Sequence, residues 1–299
     1  MITRRDVLLA IGVGAAGSVA LGGYAFAVEP VLRLIVTDYK IAPRQWPADL
    51  NLKIAVLADI HAINPWMSPA RIAAIAQATN ALEPDIVLLA GDYESGMRRF
   101  GIGAHVSMTE CARSLSLLKA PLGVHAVLGN HDIITNDGNN VRRAFAAFGI
   151  PVLENTAVRL AKDGKPFWLL GLGDQCGLGG TTDSGTGQDD LPGTLAQIDD
   201  DAPAILLAHE PDIFADAPER IALTISGHTH GGQVRIPGYG ALVVPSRYGR
   251  RYVYGHIVED HRHLVVSAGL GTSGLPVRFG TPPEIVVITM GSGSAVAAA

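Results

Sequence analysis

Five short polar clusters constrain this chain more than any other feature: Asp59-x-His61, Gly91-Asp92, Gly129-Asn130-His131-Asp132, His209-Glu210 and Gly227-His228-Thr229-His230. Each follows an apolar run directly. Ile54 to Ala58 leads into Asp59, Ile86 to Ala90 into Gly91, Val124 to Leu128 into Gly129, Ile205 to Ala208 into His209, and Ile221 to Ser226 into Gly227. Short runs without polar alternation fit strands buried on both faces, which are the strands of parallel sheets. Ligand sites of open α/β sheets lie beyond the carboxyl ends of their strands, so the fold must bring all five clusters to one crevice. The glycines at 91, 129 and 227 allow tight turns there.

The segments between the clusters agree. Residues 69–82 predict a helix, with Ser68 as N-cap and Pro69 at N1. Helices are also predicted near 105–119, 141–148 and, weakly, 190–199. Strands are predicted at 31–41, 53–58, 85–90, 124–128, 204–208 and 221–226, with a hairpin of 157–161 and 166–172 turning at Asp163-Gly164. The last third is strand-rich, at 233–237, 251–258, 263–267 and 284–290. This order predicts a mixed two-sheet α/β sandwich flanked by helices. Residues 173–187, dense in Gly, Thr and Asp, predict a flexible loop, and 291–299 a loose tail. The domain itself is expected over 30–290.

Residues 1–29 read as an address. Arg4-Arg5 precede an uncharged run from Val7 to Val28, and Ala25-Phe26-Ala27 has the form of a cleavage site. Paired arginines before an apolar run resemble the twin-arginine export signal, with Asp6 and Val7 departing from its commonest form. The alternative is an uncleaved membrane anchor, because 7–28 is long enough to span a bilayer. The expected location is accordingly the periplasm or cell envelope, or the inner membrane. A formal charge of −5 and no basic run after residue 5 exclude a nucleic-acid partner.

Four His, two Asp and one Asn in the clusters form a donor set without sulfur, suited to divalent Mn, Fe or Zn. His131 is left over for acid–base work. Cys111 and Cys176 are two thiols or, in an oxidising compartment, one bridge.

The ordered blocks D-x-H, G-D, G-N-H-D, H and G-H-x-H resemble the calcineurin-like metallophosphoesterases over roughly residues 50 to 232. The resemblance implies that Asp59, His61, Asp92 and His230 hold one divalent ion, and Asp92, Asn130, His209 and His228 the other. A carboxylate at Asp92 can bridge them. His131 would protonate the leaving oxygen, with Asp132 orienting its ring. Gly231-Gly232-Gln233 and the segment from Gly269 to Pro276 look like a bacterial branch with an N-terminal membrane segment or twin-arginine signal, described as phosphodiesterases and, by relation, UDP-2,3-diacylglucosamine pyrophosphatases of lipid A synthesis. The expected activity is hydrolysis of phosphodiesters or pyrophosphates of envelope or lipid-linked molecules. The alternatives are a phosphomonoesterase on small substrates and a non-catalytic, metal-stabilised binding module. Arg278 is the substrate-contact expectation. Glu210 is expected either behind the ligands or as an exposed carboxylate, and Arg98 and Arg99 either near a phosphate or in solvent. Arg247, Arg250 and Arg251, interleaved with Tyr248 and Tyr252, are read as a basic-aromatic patch for a head group or membrane surface, or as a solvated strand edge.

Overall fold

The computed structural model describes residues 3–135, 138–177 and 187–291. In chain order its helices are α1 (Arg4–Gly23), α2 (Pro69–Asn80), α3 (Met108–Leu115), α4 (Asn130–Ile134), α5 (Gly138–Ala147) and α6 (Leu191–Leu195). Its strands are β1 (Ile35–Ile41), β2 (Leu52–Leu57), β3 (Ile63–Asn64), β4 (Ile86–Leu89), β5 (Ala104–His105), β6 (Val124–Ala126), β7 (Thr156–Lys162), β8 (Lys165–Gly171), β9 (Ala204–Leu207), β10 (Ile221–Ser226), β11 (Arg235–Ile236), β12 (Gly240–Ala241), β13 (Gly255–Glu259), β14 (Arg262–Val266) and β15 (Glu284–Met290).

Two mixed sheets result. One runs β1-β15-β2-β4-β6, the other β13-β14-β10-β9-β8-β7. The cluster-bearing strands lie side by side and parallel within each sheet: β2, β4 and β6 in the first, β9 and β10 in the second. Burial on both faces explains their continuous apolarity. In β2, Ile54 and Val56 join the core between the sheets with Leu169, Ile205, Leu223 and Ile288. Ala55 and Leu57 point the other way, against Ile72 and Ile75 of α2 and Phe145 of α5. The outer face of the second sheet packs Leu206, Leu264 and Val266 against Leu191, Phe214 and Tyr252. The architecture is therefore the expected two-sheet sandwich flanked by helices.

Local signals explain most boundaries. Ser68 accepts the Arg71 N–H to start α2, and Ser107 and Glu110 form a capping box that starts α3 three residues later than expected. Asp163 and Gly164 both take positive φ, at 50° and 76°, as a two-residue hairpin with matching twist requires. Elsewhere the expectations need correction. The first strand begins at Ile35, because helix α1 continues through a wider-turned segment, Tyr24–Leu32, that packs on the domain. The strand expected at 233–237 is only the two-residue β11 paired with β12, since Pro237, Gly238 and Gly240 break the run. The strand expected at 251–258 starts at Gly255. Much of the expected Gly-rich loop, 178–186, and the tail residues 292–299 lie outside the described residues. Cys111 and Cys176 are buried and form no disulfide.

Candidate metal centre

The chain turns sharply after each cluster-bearing strand, and the turns carry unusual backbone. Asp59, His61, Asp92, His228 and His230 all have positive φ, between 44° and 71°. Non-glycine residues rarely adopt this region, and such strain concentrates at functional sites. Two glycines make the approach feasible. A Cβ on Gly129 would stand 2.4 Å from Asp92 Oδ1, and one on Gly91 would stand 2.6 Å from His209 Nδ1.

The result is two adjoining groups of buried side chains. Ligand atoms of Asp59, His61, Asp92 and His230 lie within 4.8 Å of one another, as do those of His209, Glu210 and His228. Asp92 joins them: its Oδ2 is 3.4 Å from His61 Nε2 and 3.3 Å from His209 Nε2. His228 Nδ1 lies 3.0 Å from Asn130 Oδ1, so Asn130 completes the second group. All seven expected ligands are thus brought together.

The rings are oriented from behind. His209 Nδ1 sits on the Ala90 carbonyl at 2.6 Å, and His61 Nδ1 on the Glu94 carbonyl at 3.0 Å. Each arrangement assigns the proton to Nδ1 and turns a bare Nε2 inward, the usual posture of a metal-ligating histidine. His209 Nε2 is fully buried and, although Asp92 Oδ2 lies 3.3 Å away, the geometry there is not that of a hydrogen bond. A buried polar atom left in this way is costly unless something binds it, and a cation fits. His61 Nε2 meets His230 Nε2 at 3.0 Å, a pair of nitrogens that can share one proton or give both lone pairs to an ion.

The electrostatics fit the same reading. Burial lowers the His61 and His228 pKa values to about 3, so both stay neutral and able to ligate. Burial also depresses His230, aided by His61 and the nearby Arg278 cation. Burial opposes the charges of Asp92 and His209, yet their attraction prevails: the carboxyl is held well below its ordinary range and the imidazole well above. Burial raises Asp59 to about 7, with the Asp92 charge adding to the effect. Three neutral, buried imidazoles, His61, His228 and His230, beside the ionised Asp92 carboxylate form a dry donor set that a cation fits.

His131, the second residue of α4, donates its backbone N–H to Asp92 Oδ1 at 2.8 Å and places Nε2 3.2 Å from Ser273 Oγ. Both residues line a cavity of about 450 Å³ with Asp92, Asn130, His228 and His230. The hydrogen bonds of Asp132 go to backbone and not to the His131 ring. Its two oxygens accept the backbone N–H groups of Asp92, Tyr93, Glu94 and Gly129, so it shapes the loop that carries Asp92.

Arg278 departs from its expected place. It is completely buried and donates to the carbonyls of Ala268, Gly271 and Thr281, with Nη2 3.4 Å from His230 Nδ1. It lies behind His230 and is not among the residues lining the cavity. Glu210 is fully buried, accepts the Gln175 N–H and lies with Asp174 and Cys176 beside His209. Arg98 is exposed, near Glu94 and His105. Arg99 bonds the Ile134 carbonyl. In the basic-aromatic patch, Arg251 pairs with Glu259 and Arg247 with Asp216. Sequence reasoning missed Ser273 and Glu29. Glu29, from the N-terminal segment, is buried and accepts the Thr281 N–H at 2.6 Å, and only its position in the fold reveals it.

Two sheets converging on a buried, bridged Asp/His/Asn cluster define a metal-dependent phosphoester hydrolase. The chain belongs to the calcineurin-like phosphoesterase family, whose model matches residues 52–232, and it is a metallophosphoesterase. It is 30% identical to the uncharacterized metallophosphoesterase YkuE of Bacillus subtilis, over 97% of this chain and 98% of that one. It is 29% identical to the phosphodiesterase YaeI of Escherichia coli, over 97% of this chain and all of the other. A transmembrane protein with a metallophosphoesterase domain from Danio rerio is 27% identical over 96% of this chain and 63% of its own length. Two divalent ions are typical of the family.

Proposed function

We propose that the protein hydrolyses phosphodiesters with two divalent metal ions, one held by Asp59, His61, Asp92 and His230, the other by Asp92, Asn130, His209 and His228. The nitrogen and oxygen donors favour Mn, Fe or Zn. Bound there, the ions supply Lewis acidity and lower the pKa of water at the phosphorus. The chain supplies the rest. Asp92 fixes the spacing of the two groups, and the backing carbonyls hold the imidazoles in their ligating tautomers. His131, at the cavity edge beside Ser273, gives a proton to the leaving oxygen. Asp132 acts one step removed, by holding the Asp92–Glu94 backbone.

One observation carries the choice of diester over monoester. No Lys or Arg is among the described residues lining the cavity, whereas Val234, Leu242, Val243 and Pro245 form one wall. A monoester dianion has an extra charge to be met and no second organic group for that wall. A diester has one charge and two substituents. The reading stays at this class, since no side chain at the site singles out a nucleotide-sugar lipid such as UDP-2,3-diacylglucosamine. The test is the ratio of kcat/KM for bis-p-nitrophenyl phosphate and p-nitrophenyl phosphate with Mn. Preference for the diester supports the proposal, and preference for the monoester refutes it.

The same reading anchors the protein in a membrane. Ala15–Leu32 is apolar enough for one, but its last part is built into the domain through Ala25, which accepts the Arg278 N–H, so the span falls to the 20 residues of α1 ahead of it. Cleavage after Ala27 would remove that contact. With Arg4-Arg5 ahead of it, the segment is proposed to take the twin-arginine route and to remain as an anchor. Protease protection in intact and osmotically shocked cells reads the side on which the domain lies, and degradation only after lysis would refute export.

A further inference from the structure

The wall of the cavity is itself unusual. Leu242 and Val243, which line it, are 51% and 74% exposed, and Ile236, Tyr239 and Leu275 beside them are 43%, 60% and 54% exposed. Beyond the N-terminal helical segment that ends at Leu32, these five are half of the large apolar side chains exposed among the described residues. A contiguous apolar rim around a polar catalytic mouth marks a surface that something covers.

Its position says what. The rim is formed by the β11–β12 turn, Leu242 and Val243 just after β12, and the 273–276 segment, which Gln233 ties to the turn by bonds to Ser273 and Leu275. The turn is joined in turn to Phe279, whose carbonyl accepts the Arg235 N–H and whose N–H reaches the Gln233 carbonyl. Phe279 stacks edge-on against Tyr24, and Arg278 beside it bonds Ala25. The apolar helix therefore ends on the very segment that supports the rim. No linker intervenes, because α1 runs on into Tyr24–Leu32 with helical backbone at Gly23. With that helix inserted in a bilayer, the domain sits against the bilayer surface.

The chemistry of the rim matches such a surface. Arg250 lies over the Tyr239 ring at 4.4 Å, and Arg235 over Tyr254 at 5.4 Å. Aromatic and cationic side chains next to exposed Leu, Ile and Val are the residues that settle at the headgroup level, with the cations toward anionic lipid.

We infer that the β11–β12 turn docks on an anionic lipid bilayer, so that the mouth of the metal centre opens onto the membrane surface. The substrate class this adds, a phosphodiester on an amphiphile held in the bilayer, rests on the proposed diester hydrolysis; the docking itself does not.

The test reads docking and hydrolysis separately. The full chain, with its helix, is reconstituted with Mn in phosphatidylethanolamine–phosphatidylglycerol vesicles whose acyl chains are brominated. Tyr239→Trp and Ile236→Trp are compared with Leu117→Trp, which replaces an exposed apolar residue just beyond α3, toward the amino ends of the first sheet's strands. The added emission should be quenched at least about twofold at 239 and 236 and unchanged at 117. Bis-p-nitrophenyl phosphate hydrolysis at the parental rate shows the variants to be folded. Unquenched emission at 239 and 236 in active protein overturns the docking, whether water or another protein covers the rim. Quenching in protein that never hydrolyses the diester upholds the docking and defeats the functional reading instead.

Discussion

Asp132 Oδ2 accepts the backbone N–H of Asp92 at 3.1 Å, and through this bond a residue that binds no substrate fixes the carboxylate shared by both ligand groups. Three further N–H groups converge on the same carboxylate. Asp132→Asn would set an amide N–H against these donors, and leaving buried donors unpaired costs about 1–3 kcal/mol each. The expected result is a lower Tm and weaker metal retention with the pH profile of the remaining activity unchanged. A shifted profile would instead place Asp132 on the His131 ring.

His131 is expected to matter in proportion to the basicity of the leaving group. His131→Ala should lower kcat about 10²–10⁴-fold for an alkyl phosphodiester, the range of general acid catalysis. The loss should be much smaller for bis-p-nitrophenyl phosphate, whose leaving group departs as a stable anion. Equal losses on both substrates would remove the acid role.

Arg278 supplies a prediction about support without contact. Arg278→Lys keeps the charge and loses the fork that reaches three carbonyls and His230. Metal affinity should fall about tenfold or more, because each charged hydrogen bond lost from the Ala268, Gly271 and Thr281 carbonyls behind His230 is worth about 1.5–3 kcal/mol. With metal in excess, KM for the diester should match the parent's. A raised KM at saturating metal would return Arg278 to the substrate site.

The surface histidines set a pH dependence remote from the metals. His256 and His263 stack at 14° with ring nitrogens 2.9 Å apart on β13 and β14. Burial, with His256 and His261 adding repulsion, lowers His263 to about 4 from an ordinary 6.5. A depressed pKa favours the neutral ring in the fold, so this contribution is complete above about pH 6.5 and is lost as pH falls toward 4. Denaturant titrations should show stability declining through that window, and His263→Gln should flatten the decline. An unchanged slope would contradict it.

The fold and the gathering of the candidate ligands were legible because both leave periodic or local marks. Continuous apolar runs before Asp59, Asp92, Asn130, His209 and His228 carry the parallel strands and the convergence, and Ser68 and Ser107 carry their helix starts. What the sequence withheld depends on burial in three dimensions. Nothing local separates Arg278 on a carbonyl cage from an arginine facing phosphate, or fully buried Glu210 from a loop carboxylate. Asp132 follows His131 directly, yet the turn into α4 sends its carboxylate to the neighbouring loop. The strand expected at 233–237 became a turn because Pro237 and two glycines end the run at Ile236.

The central claim is that Asp92 joins two metal sites, and metal content measured alongside activity tests it most directly. The parent protein, loaded with Mn and freed of loose ions, should retain two ions per chain and hydrolyse bis-p-nitrophenyl phosphate. Asp92→Ala should retain at most one and lose at least about 10³-fold in kcat, on the order of 4 kcal/mol in barrier. Two ions and undiminished hydrolysis in the Asp92→Ala protein would contradict the account.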